Sequence, residues 1–193
     1  LVVPDQLVDR TRGRPSTFFG EGLVAHIAFA DPFCADLRDV LVGAARGAGA
    51  TVHRGGTYVV IEGPAFSTRA ESNLYRAWGA DVIGMTALPE AKLAREAEMC
   101  YGILACATDY DVWHDGHADV TAELIVANLR KNVAVSQQAV RLALAGLPRE
   151  RRCPCATALR DALVTPLELV PPSTIGRLAP LIGRYAKAQV GEG

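Results

Sequence analysis

The chain has 193 residues, 50% of them hydrophobic and 21% charged, with a formal net charge of −1. That is enough for one domain with a sizeable core. The charge balance removes any global electrostatic pull toward nucleic acid or an anionic membrane, and no apolar run is long enough to span a bilayer. The five cysteines follow no small-scaffold disulfide pattern, which predicts a reducing, cytoplasmic setting. Cys153 and Cys155, in CPC, are expected to be free thiols rather than a labile disulfide.

The opening LVVPDQLVDR reads as an apolar strand already under way and carries no initial Met, so upstream sequence is expected. The polar stretch DRTRGRPSTFFGEG predicts irregular structure from its glycines and proline. From Pro32 the run PFCADLRDVLVGAARGAGA places Phe33, Leu37, Val40, Leu41 and Ala44 at helical spacing, with Gly47 and Gly49 as stops. TYVVIEG is short, β-branched and glycine-bounded, hence a buried strand. Thr68 and Glu71 have the spacing of a capping box, opening a helix to about Trp78.

ADVIGM (80–85) is another strand, followed by a helix over LPEAKLAREAEM that Thr86 is placed to cap. YGILACAT (101–108) predicts a strand delivering Thr108 and Asp109. A long helix is expected from about Val120 to Ala145, stopped by Gly146 and Pro148. Beyond it a short helix near 157–163, a Pro171–Pro172 break and a final amphipathic helix complete the chain. Alternating strands and helices imply an α/β fold in three layers, a mixed but mostly parallel central sheet flanked by helices.

In such sheets ligands gather beyond the carboxyl ends of strands. Three polar clusters fall there: EGPAFST, MT and TDYD. Phe66 could stack on a planar base while Ser67 meets its polar edge, although a capped helix with a core phenylalanine explains the same residues. Met85 and Thr86 offer a thioether and a hydroxyl at a helix start, which suits a sugar and an anion. In extended backbone Asp109 and Asp111 would share one face. Burial would raise one carboxyl far enough to share a proton near neutral pH. The neighbouring His114 and His117 lack a third ligand at a set spacing and a helical frame, so no metal is expected.

The segments EGPAFSTRAES, MTALPEAKLAREA and TDYD, with DRT and HIAFADPFC near the start, resemble the trimeric purine nucleoside phosphorylase family, and within it the methylthioadenosine-cleaving branch. The resemblance covers about residues 2 to 145 and is loose beyond Leu147. It implies a single domain over 1–193 with 148–193 as its helical tail, and a homotrimer that binds no nucleic acid or membrane. It implies phosphorolysis of 5′-methylthioadenosine to adenine and 5-methylthioribose 1-phosphate, with inorganic phosphate as co-substrate and no cofactor. By the same resemblance Asp109 meets purine N7 and Asp111 accepts from the 6-amino group, while Thr108 lines the base site. Phe66 stacks, Met85 lies against the ribose and Thr86 contacts phosphate.

Relatives that cleave 6-oxopurine nucleosides carry Glu where Ser67 stands and Asn where Asp109 stands. An ionised Asp can accept from an amino group but cannot donate to a 6-oxo group, which favours adenine. His26 matches a histidine bordering the 5′-substituent from a neighbouring subunit. Ala122 stands where animal enzymes carry Val beside the methylthio pocket, which would admit bulkier 5′-groups. The family's glycine-rich phosphate loop, Arg-His pair and Thr-Ala strand end have no counterpart in these residues. If the polypeptide starts at Leu1, an inactive or poorly stable protein is expected. A broader purine nucleoside phosphorylase, a nucleosidase using water, and a non-catalytic paralogue are the competing readings.

Overall fold

The computed structural model describes residues 1–113 and 122–190. Its centre is a parallel three-stranded sheet in the order β2 (Gln6–Arg10), β4 (Thr57–Ile61), β5 (Val82–Gly84). A second, two-stranded parallel sheet pairs β1 (Val2–Val3) with β3 (His53–Arg54). Register is continuous from Gln6↔Thr57 to Arg10↔Ile61 and from Tyr58↔Val82 to Val60↔Gly84.

β4 reads as an unbroken apolar run because both its faces are covered. Tyr58 and Val60 face a cluster with Ala87, Leu88 and Ala91, beneath α3 (Glu90–Glu96). Val59 and Ile61 face the other way, onto Tyr75 of α2 (Arg69–Ala77). The period-two alternation of one strand thus builds helix, sheet and helix layers.

α1 (Ala35–Gly47) begins after Cys34 and packs on α4 (Ala122–Gly146). Their seam holds Leu41, Ala44 and Ala143 over Val3 of β1. Glycine keeps it close, since a Cβ on Gly47 would stand 3.3 Å from Leu142. α2 carries the expected capping box: Thr68 Oγ1 accepts from Glu71 N at 3.2 Å, and Thr68 N donates to Glu71 Oε2 at 2.8 Å. The Thr68 N–H, joined by the Thr68 hydroxyl donating to Glu71 Oε2 at 3.0 Å, holds the Glu71 carboxyl below its usual range.

Several expectations change. α3 begins at Glu90 with Pro89 as its cap residue, so Thr86 caps nothing; proline disfavours helical backbone at Leu88 before it. Residues 101–108 form no strand, only an isolated antiparallel bridge of Ala105 with Val2. Side chains take the place of a ladder partner: Asn132 donates to Ala107 O at 3.4 Å, and Asn128 donates to Thr108 O. The helix expected near 157–163 is instead a 3-10 turn, Pro154–Thr157, followed by turns. His114 and His117 lie outside the described residues.

The tail ends in α5 (Pro172–Val190) and shares a cluster of Leu23, Leu159, Val170, Leu178 and Ile182 with the loop after β2. Glu98 ties it to the body. Only 8% exposed, Glu98 accepts from Leu159 N at 2.9 Å and from the Tyr185 hydroxyl at 2.5 Å, and it pairs with Arg184. Its own carbonyl receives Arg151 at 2.8 Å. Replacing Glu98 by Ala is expected to cost about 2–3 kcal/mol by leaving these donors unpaired. A denaturant midpoint equal to that of the parent protein, with no faster proteolysis between 148 and 170, would contradict this role. Among the described residues, no helix is long and apolar enough to cross a membrane.

Candidate active site

A cavity of about 610 Å³ opens beyond the carboxyl ends of β4 and β5. Its size suits a small organic ligand. Phe66, Ser67, Met85, Thr86, Thr108, Asp109 and Asp111 all line it, which brings together seven residues named from three separate stretches of sequence.

The EGP turn shapes one wall. Gly63 has φ +69°, and a Cβ there would stand 2.5 Å from the Met85 sulfur, so glycine both permits the turn and admits the thioether. Phe66 is 48% exposed, so it is a face presented to the cavity and not a core residue. Ser67 is 9% exposed, and its Oγ is buried without a hydrogen-bond partner among the described residues. A buried hydroxyl left unmatched costs about 1–3 kcal/mol, so a ligand that pairs with it gains that much.

The opposite wall is TDYD. Thr108 Oγ1 donates to Asp109 Oδ2 at 2.6 Å, and Asp111 N donates to Asp109 Oδ1 at 2.9 Å. The second bond closes a tight local turn, and Asp111 takes φ +58°. The backbone therefore does not carry the two aspartates on one extended face, because the Asp109 carboxylate captures the N–H that a strand would pair. Both carboxylates still reach the cavity. Asp111 Oδ2 accepts from the Ser72 hydroxyl at 2.5 Å, and Ser72 is buried in α2. α2 also grips the following residues: Arg69 donates to Val112 O at 2.5 Å, and the Arg76 guanidinium lies 3.6 Å from the Trp113 ring centroid.

Arg14 braces the strand ends from below. Its guanidinium donates to Met85 O at 2.7 Å, Leu88 O at 2.6 Å and Glu62 O at 2.6 Å. Its Nε donates to Glu62 Oε2 at 3.0 Å. The Arg12 N–H and the Arg14 guanidinium together hold the Glu62 carboxyl below its ordinary range. Nothing in DRTRGRP marks Arg14 apart from Arg10 and Arg12, so sequence reasoning missed it. Ser72 was hidden inside a helical pattern. Asn128 and Asn132 carried a usable signal, two amides one helical turn apart.

Two named residues stand elsewhere. His26 is exposed and not among the residues lining the cavity, with its N–H bonded to Ala162 O at 2.8 Å. Ala122 is the first residue of α4, and its side chain falls outside those described. Thr86 lines the cavity and is exposed, but it holds no helix N-terminus.

The parallel α/β frame and its strand-end cavity are those of a ligand-binding α/β protein. The chain belongs to the phosphorylase superfamily, whose family model matches residues 1–145. Among its relatives, S-methyl-5′-thioadenosine phosphorylase of Geobacter sulfurreducens is 59% identical over 186 residues, which cover 96% of this chain and 65% of that protein. The crystal structure of a methylthioadenosine phosphorylase from an antarctic soil metagenomic library superposes with a TM-score of 0.87 at 48% identity, covering 93% of this chain and 64% of that one. Methylthioadenosine phosphorylase from Schistosoma mansoni in complex with adenine gives 0.79 at 30% identity, over 84% of this chain and 66% of that one. The chain thus spans about 65% of the length of the G. sulfurreducens protein.

Proposed function

We propose that the chain is the base- and ribose-binding part of an enzyme that cleaves 5′-methylthioadenosine by phosphorolysis. The observation that carries this reading is the convergence of Phe66, Ser67, Met85, Thr86, Thr108, Asp109 and Asp111 on one cavity. The relatives named above supply the reaction.

A phosphate oxygen attacks the anomeric carbon of the nucleoside, the bond to purine N9 breaks, and its electron pair passes into the base. The developing negative charge is relieved by a proton or strong hydrogen bond at N7. Asp109 is that partner: in its protonated form the carboxyl passes its proton to N7 as the bond to N9 breaks, and the bonds from Thr108 and the Asp111 N–H hold its two oxygens in place. Asp111 accepts from the 6-amino group with its orientation set by Ser72. Ser67 brings its hydroxyl, unpaired among the described residues, to the edge of the base, and Phe66 stacks on the ring. Met85 packs on the ribose and Thr86 contacts phosphate, the co-substrate; no cofactor enters the scheme. By family resemblance the assembly is a homotrimer, in which His26, exposed and away from its own cavity, would serve the 5′-substituent of a neighbouring subunit. Ala122 borders that 5′-group. Residues 148–193 form the helical tail of the same domain, supported by their shared cluster with the loop after β2. A cytoplasmic setting fits this metabolic role.

The protein is expected to release adenine from methylthioadenosine only when inorganic phosphate is supplied. Equal release in phosphate-free buffer would replace this reading with a nucleosidase, and inosine cleaved equally fast would remove the assigned base selectivity.

A further inference from the structure

Four of the five cysteines come together from three separate segments of the chain. Cys34 precedes α1, Cys100 follows α3, and Cys153 and Cys155 flank Pro154 at the 3-10 turn of the tail. Their sulfur atoms all lie within 4.8 Å of one another, with those of Cys100 and Cys153 3.3 Å apart. Cys34 and Cys155 are each 3% exposed. None of the four lines the cavity beyond β4 and β5.

We propose that Cys34, Cys100, Cys153 and Cys155 form a tetrahedral, four-thiolate site for a structural zinc ion. Zinc–sulfur bonds of about 2.3 Å at tetrahedral angles put neighbouring sulfurs about 3.8 Å apart. A cluster with every pair inside 4.8 Å needs only a small contraction or expansion to reach that edge. Disulfides would account for the sulfurs two at a time, whereas here each sulfur faces three others. Four soft sulfur donors in a closed, largely buried pocket select zinc over the hard cations. The two thiols beside Pro154 approach as one unit, and the other two come from rigid points. The Cys34 N–H is bonded to Tyr101 O at 2.8 Å, next to Cys100.

The ion would fasten the tail to the α/β body at the same seam as Glu98. Those two attachments differ in kind: the carboxylate network needs only hydrogen bonds, while the thiolates bind in competition with protons and oxidation. The spacing of these cysteines along the chain contains no metal motif, because the ligands come from three separate segments.

The experiment is metal and thiol analysis of the protein purified under reducing conditions without chelator, followed by cobalt(II) substitution. About one zinc per chain is expected, with the intense visible absorption of a tetrahedral cobalt tetrathiolate after exchange. Cys153→Ser should lower zinc affinity at least about tenfold. Cys106→Ser should keep the zinc, because Cys106 instead faces the Ser136 hydroxyl at 3.1 Å. A zinc-free protein with five reactive thiols, a protein isolated with a disulfide among the four cysteines, or one holding iron in their place would each overturn the assignment. If Cys153→Ser fails to fold, the cobalt spectrum of the unaltered protein still decides the matter, since a spectrum without thiolate ligation refutes the site.

Discussion

Asp109→Asn is expected to lower kcat/KM for methylthioadenosine by about 10²–10⁴-fold, the usual worth of a positioned acid–base group. The loss should fall mainly on kcat, because Asn keeps an oxygen that can accept from Thr108 or from the Asp111 N–H and so preserves the local turn. Asn cannot shuttle a proton to N7, but its amide can donate to a 6-oxo group. Discrimination against inosine should therefore narrow at the same time as the adenine reaction slows. The measurement is a pair of phosphate-dependent rate series, one for each nucleoside, with a thermal midpoint as control. An unchanged rate in a folded variant would remove Asp109 from the reaction. A fall in both substrates together would keep the catalytic role and remove the role in base choice.

Arg14→Met should be the most damaging change outside the cavity. It strips donors from the carbonyls of Glu62, Met85 and Leu88, which terminate β4 and lead out of β5. Losing charged donors to part-buried carbonyls is expected to cost about 3 kcal/mol. The damage should extend to the site, because Met85 and the EGP turn are held by the same guanidinium. Denaturant unfolding measures the first effect, and the KM for methylthioadenosine the second. Acid should reproduce part of it. The Glu62 carboxyl has its folded value held below its unfolded one, so its contribution is present above the unfolded value. That contribution is lost as pH falls through the folded value, and Arg14→Met should show less of this acid dependence than the parent protein. Equal stability of the two proteins at neutral pH would show that the brace is dispensable.

Most of the fold was legible where one local rule acted alone. TYVVI could only be a strand covered on both faces, and the Thr68–Glu71 spacing led directly to the observed cap. The errors arose where a longer-range partner competed. Thr86 looked like a cap, but Pro89 set the helix start. Residues 101–108 had the composition of a strand, but side chains from α4 and the Asp109 carboxylate took backbone groups that a ladder would use. The site residues were readable as polar groups at strand ends. Ser72 and Arg14 were not, since their contribution is a bond to something 39 or 71 residues away.

By itself, then, the sequence determined the βα alternation, the family to which the chain belongs, and which polar groups would gather at the strand ends. Those follow from periodicity, turn chemistry and local motifs, all of which act within about ten residues. Only the tertiary structure decided that Ser67 would be buried without a partner among the described residues, that Asp111 would turn back onto Ser72, and that Arg14 would join two strand ends. It also decided that four scattered thiols would meet. Each of these depends on where distant segments close on one another, and hydrogen-bond and ligand geometry is satisfied only at that final distance.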